Sequence, residues 1–187
     1  MIFKYSIDNR KRRKYFFNNI ILVLIIDITI TALMHFIYNL SFVVMIKTFL
    51  VLFVLTFLFY LLPLIILYLN YLKNNRSSKL IINQDNSLIT FSFQNIETTF
   101  LFSDVKKIKV NLSFPLFDKR MRWFFWDELF YYELILNTNS SIFISCLLCN
   151  DLPKSLPSVE IQRIKRVIPI IPHSHVLNRG EFQRKNE

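Results

Sequence analysis

The stretch TFLVLFVLTFLFYLLPLIILYLN, residues 48–70, decides how this chain is read. It holds no charged residue and no period-3.6 polar stripe. As helix, a run of about 22 residues rises roughly 33 Å, enough to cross the hydrocarbon core of a bilayer. A second such run, FFNNIILVLIIDITITALMHFIY, occupies residues 16–38. Residues 15–72 are therefore predicted to form a transmembrane helical hairpin, with spans at 16–38 and 48–70 and a connector from Asn39 to Lys47. A buried pair of core helices would need a large soluble shell. A chain of 187 residues with a more polar second half does not supply one.

Charge orients the hairpin. Lys4 and the cluster Arg10, Lys11, Arg12, Arg13 and Lys14 precede the first run, and Lys73, Arg76 and Lys79 follow the second. The connector carries one cation, Lys47. The positive-inside rule then places both termini in the cytoplasm and the connector outside, a multi-pass protein of the cell (inner) membrane. Residues 1–14 are read as a basic cytoplasmic tail. The apolar run is too long for a signal peptide and no small-residue cleavage site follows it, so it is read as an uncleaved anchor.

Polar residues inside the runs are expensive in lipid. Asp27 sits near the middle of the first run, where a charge costs about 2.5–3.5 kcal/mol on insertion scales. Thr31 and His35 follow at helical spacing on the same face. Thr56 and Tyr60 lie at similar depth in the second run, and Pro63 leaves the Phe59 carbonyl without its helical donor. One reading is a proton or ion relay. The other is a hydrogen-bonded lock between the helices, or an Asp27 pair across a homodimer.

Composition narrows the chemistry. The chain has one glycine, Gly180, whereas phosphate-cradling loops, dinucleotide turns and nucleophile elbows need glycine where backbone meets ligand closely. No cofactor is expected and no catalytic residue is assigned. Abundant Ile, Phe, Asn and Lys fits AT-rich, bacterial coding usage. The net charge of +10 suits anionic lipid headgroups, at about 1 kcal/mol per cation near the surface. No nucleic-acid motif accompanies it. Cys146 and Cys149 form a C-x-x-C pair that His173 and His175 could extend to a four-ligand metal set, but nothing in the spacing demands it. Buried free thiols are the simpler reading and no metal is assigned.

After the linker Asn74–Ser78, residues 79–169 read as a small, mostly β domain. Short alternating runs start at Leu80, Leu88, Thr98, Val105, Tyr131 and Ile142, giving about six or seven antiparallel strands. Residues 158–168 read as a helix with Ser158 as N-cap and Ile161, Ile164 and Ile168 as an apolar stripe. The tail, residues 170–187, is polar and expected to be disordered.

Two spans, short strands and a closing helix resemble a bacterial membrane protein with a pleckstrin-homology-like domain. Phe100-Leu101-Phe102-Ser103-Asp104-Val105-Lys106-Lys107-Ile108 is similar to a step common in that group. Tyr131–Leu136 followed by Ile142–Ser145 resembles its later hairpin. The resemblance implies a bent sheet or partly open barrel capped by a C-terminal helix and used for binding or scaffolding. The first hairpin loop, Gln84–Ser87, holds no Lys or Arg, so phosphoinositide binding there does not carry over.

Between the fourth and fifth runs, residues 114–126 hold both tryptophans, four phenylalanines and three cations. Lys119, Arg120, Arg122, Trp123, Phe124, Phe125 and Trp126 suit a bilayer interface, with rings at headgroup level and cations on phosphates. The loop either docks the domain on the inner leaflet or on a protein partner, or plugs one end of the β domain. The leading expectation is a non-enzymatic, membrane-anchored cytoplasmic scaffold that binds the lipid surface or an unknown protein, possibly as a homo-oligomer. The alternative is a subunit of an oligomeric transporter or channel in which Asp27 titrates.

Overall fold

The computed structural model describes residues 1–94, 96–156 and 159–172. Residues 1–14 are not a simple basic tail. They contain strand β1 (Ile2–Ser6), which pairs antiparallel with β2 (Lys79–Asn83), from Ile2↔Asn83 to Ser6↔Lys79. Phe3 and Tyr5 turn toward the core while Ile2, Lys4 and Ser6 are exposed, a period-2 alternation that the neighbouring cations obscure.

Between these two paired strands the chain leaves as a helical hairpin: α1 (Asn9–Tyr38, 30 residues) and α2 (Phe42–Asn75, 34 residues). Asp8 caps α1, its carboxylate accepting the Lys11 N–H at 2.7 Å. A π turn at Phe57–Leu61 stands just before Pro63 and absorbs the break that proline makes in the helical ladder. The connector is only Asn39, Leu40 and Ser41, with Asn39 left-handed at φ 44°. Lys47 therefore lies within α2 and not in the connector, because the apolar residues Phe42–Ile46 continue the helix.

The β domain consists of two four-stranded sheets. The first runs β1-β2-β3-β4, with β3 (Leu88–Phe93) and β4 (Ile96–Leu101). The second runs β7-β6-β5-β8, with β5 (Val105–Ser113), β6 (Tyr131–Leu136), β7 (Ser141–Ser145) and β8 (Ile161–Arg166). The sheets enclose one core and do not close into a barrel. Leu80, Ile82, Ile89 and Phe91 from the first meet Ile108, Leu134, Ile142 and Ile144 from the second.

The expected C-terminal helix at 158–168 is replaced by β8, which pairs in parallel with β5 from Ile108↔Ile161 to Ser113↔Arg166. The isoleucine spacing mimicked a helical stripe. Yet only Ile164 of the six is partly covered, and backbone pairing of a β-branched segment wins over a stripe with little to bury. Leu148, Cys149, Leu152, Leu156 and Val159 close the core in place of that helix. The expected N-cap Ser158 and residues 173–187 of the expected tail lie outside the described residues.

A second core joins the hairpin to the domain. Leu64, Leu67, Tyr68 and Tyr71 recur at helical spacing along one face of α2 and pack on Leu129, Tyr131, Phe143, Cys146 and Leu147. Each such side chain contributes about 1.5–3 kcal/mol on full burial. Two amides fix the register. Asn75 donates to the Phe143 carbonyl at 2.9 Å and accepts the Ser145 N–H at 2.8 Å. Asn70 does the same to the Ile171 carbonyl and N–H, at 3.1 and 2.9 Å. The Tyr71 hydroxyl donates to the Pro169 carbonyl at 2.7 Å.

Candidate functional site

The aromatic and basic segment after β5 is held in one shape by its own backbone. Short helix α3 (Phe114–Phe117) ends at Asp118, and Lys119 takes a left-handed turn at φ 54°. The Arg120 N–H then bonds the Pro115 carbonyl at 2.9 Å. Farther along, one carboxylate oxygen of Asp127 accepts the Trp123 and Phe124 N–H groups at 3.2 and 3.0 Å. Asp127 is buried, and its carbonyl accepts the Ser113 hydroxyl at 2.7 Å, tying the loop back to β5.

The expected interface residues divide into two groups. Phe124 stacks on Trp126 at 5.1 Å, and Tyr60 of α2 approaches the Phe124 ring at 5.0 Å and Phe125 at 6.4 Å. Those three loop aromatics are half-buried and face the protein. Trp123, 74% exposed, and Met121, 76% exposed, point away from it, as do Lys119, Arg120 and Arg122. The plug and the exposed anchor coexist in one loop.

Charge on this face is partly paired. Arg122 meets Glu128 at 2.6 Å, while Asp118 accepts Lys165 at 2.8 Å and lies 3.8 Å from Arg120. The bond from Lys165 holds the Asp118 carboxyl below its usual range. The Lys165 ammonium also sits 4.8 Å from the centre of the Phe114 ring. Phe114, Pro115, Trp123, Phe124, Trp126 and Val167 line an apolar cleft of about 200 Å³ over Asp127.

Within the hairpin, Asp27 is buried, and Thr56 Oγ1 of α2 lies 2.8 Å from its Oδ2. The Thr31 hydroxyl donates to the Asp27 carbonyl at 2.8 Å. Asp27, Thr31 and Thr56 thus meet between the helices. His35 is exposed, and Tyr60 turns to the aromatic loop, so neither joins them. The basic flank also splits. Arg10, Arg13, Lys14, Lys73 and Arg76 are exposed, while Arg12 is half-buried. Lys11 donates to the Leu148 carbonyl at 2.6 Å and has a structural task.

Cys146 and Cys149 are buried free thiols. Desolvation pushes both up to about 12, which keeps them protonated and weakly nucleophilic at neutral pH. His173 and His175 lie outside the described residues. The sequence reading missed Asn70 and Asn75 as clamps. Two amides near the end of an apolar helix look like ordinary fraying, and their backbone targets lie far along the chain.

The family whose model matches this chain is described as a PH domain, and the match covers residues 4–154, hairpin included. No curated protein and no solved structure matches it.

Proposed function

Because the chain belongs to the PH-domain family, we propose that it is a membrane-anchored, non-enzymatic binding scaffold with its β domain seated on the cytoplasmic leaflet. One observation carries this reading: an apolar helical hairpin inserted between two paired strands, with its outer part uncovered. Since β1 and β2 are hydrogen-bonded neighbours, both feet of the hairpin stand on the same side of any bilayer it crosses. Of the most apolar stretch in each helix, only 17% is buried. Core helices of a soluble protein would be covered.

The dimensions agree with this assignment. The segment Asn18–Tyr38, 21 residues, rises about 31 Å, and α2 from its tip to Tyr60 rises about 28 Å. Below Tyr60 the domain covers one face of α2, so the hydrocarbon boundary belongs near Tyr60 and Phe17. That level coincides with the aromatic loop. Trp123 and Met121 then enter the headgroup region, and Lys119, Arg120 and Arg122 meet phosphates. The exposed cations at the feet of the hairpin favour the cytoplasm, and Lys47, close to the tip, can snorkel outward.

Asp27 is assigned to a lock between helices rather than to a titrating pore, because it is enclosed and its second-helix partner is a hydroxyl. Proton flux measured in vesicles tests that choice, with Asp27→Asn and wild type expected to be alike. Alkaline carbonate extraction tests the anchor: the intact chain is expected to stay in the membrane pellet, and its release would refute the anchor.

A further inference from the structure

The cleft beside the aromatic loop has features that an interfacial anchor alone does not need. Its walls are Phe114, Pro115, Trp123, Phe124, Trp126 and Val167, an apolar slot about 200 Å³ in volume. The floor is stiff, since Asp127 is bonded to two N–H groups of the loop that forms one wall. Its carboxylate is thereby directed at the protein's own backbone. The segment that lines the slot also carries Lys119, Arg120 and Arg122, and Lys165 lies over the Phe114 ring, against Asp118 and Glu128, so cations exceed acids even with Asp127 counted. Asp118 is shared between Lys165 and Arg120, the latter at a loose 3.8 Å, and no pairing of Lys119 occurs among the described residues. Trp126, which lines the slot, keeps a buried indole N–H with no acceptor among the described residues.

An apolar slot and a cationic rim, both at the level where the exposed helix surface ends, match one occupant. The geometry points to a binding site for a single anionic phospholipid, the first part of one acyl chain lying in the slot and its phosphate among Lys119, Arg120 and Arg122. The site is separate from the β2–β3 loop, which carries no cation. It rests on the docking reading above and adds selection among lipids to it. A peptide partner fits less well, because about 200 Å³ is too small for several side chains.

The chain's two tryptophans are both in this loop, so intrinsic fluorescence reports on this site alone. The test uses the full chain reconstituted in phosphatidylcholine vesicles. Acyl-chain-brominated phosphatidylcholine or brominated phosphatidylglycerol is added at equal mole fraction. Phosphatidylglycerol is expected to quench more strongly. Each cation removed in Lys119→Gln and Arg120→Gln should lower that preference about fivefold. Both side chains are exposed, so the fold should survive the changes. Equal quenching by the two lipids overturns the lipid site but leaves interfacial docking standing. Quenching by neither, with a free or protein-covered loop as the cause, overturns docking as well. A preference that survives the double substitution also refutes the site, since the rim cations would then not be its source.

Discussion

The two halves of α2 both carry long apolar runs and meet different fates. From Phe42 to Tyr60 the side chains are mostly exposed, with Val51, Val54, Leu58 and Phe59 each near or above half. From Leu61 to Asn75 one face is sealed against the β domain, with Leu64, Leu67 and Tyr71 fully buried. A leucine alone does not reveal this difference, since lipid and protein both accept it. What separates the halves is the polar atoms. The lower half carries Asn70, Asn75 and the Tyr71 hydroxyl, each aimed at a backbone group of the domain. In the outer half, Thr56 with Asp27 is the polar contact across to α1 among the described residues. A helix read as one membrane span is an uncovered apolar segment continued by a structural core helix.

That contrast can be broken by substitution, and the largest effect belongs to the lower half. Tyr71→Ala empties a fully buried site and strands the Pro169 carbonyl, so thermal unfolding of the β domain in detergent should show a loss of about 3–5 kcal/mol. A loss below 1 kcal/mol would mean that the helix and sheet do not pack as described. Asn75→Ala removes both bonds to β7 and takes the side-chain acceptor from the buried Ser145 N–H, with an expected cost of about 2–3 kcal/mol. In the outer half, Thr56→Val retains shape and removes the contact to Asp27. Helix-association measurements in lipid should register about 1 kcal/mol. The smallest effect is expected for Val51→Ala on the exposed face, within about 0.5 kcal/mol in the same assay. If Val51→Ala instead matched Tyr71→Ala, the outer half would be covered by another protein surface.

Legibility in the sequence followed the same divide. The hairpin, the central strands and the aromatic loop announced themselves, because each is a local pattern of period or composition. Two strands did not. β1 is five residues beside a basic cluster, and Phe3 and Tyr5 alone suggest its alternation. β8 carries isoleucines three apart, and its conformation is decided by pairing with a strand more than fifty residues away. Propensity cannot see such a partner. Missing β1 also hid the most consequential feature of the architecture. The hairpin is an insertion in the β domain, not an anchor placed before it. Within the aromatic loop the residue types were legible, but not the division between Phe124, Phe125 and Trp126 facing α2 and Trp123 and Met121 facing out. That division depends on Tyr60, more than sixty residues earlier, and on Asp127 fixing the turn.

The most direct test of the account is sidedness of the hairpin tip relative to the β domain. Single cysteines at Ser41, in the connector, and at Lys106, exposed on β5, can be challenged in intact cells with a membrane-impermeant maleimide. The native thiols are buried and protonated, so they leave little background. The account predicts labelling at position 41 without detergent, and at position 106 only after the membrane is opened. Labelling at 106 in intact cells, or protection at 41, would contradict it.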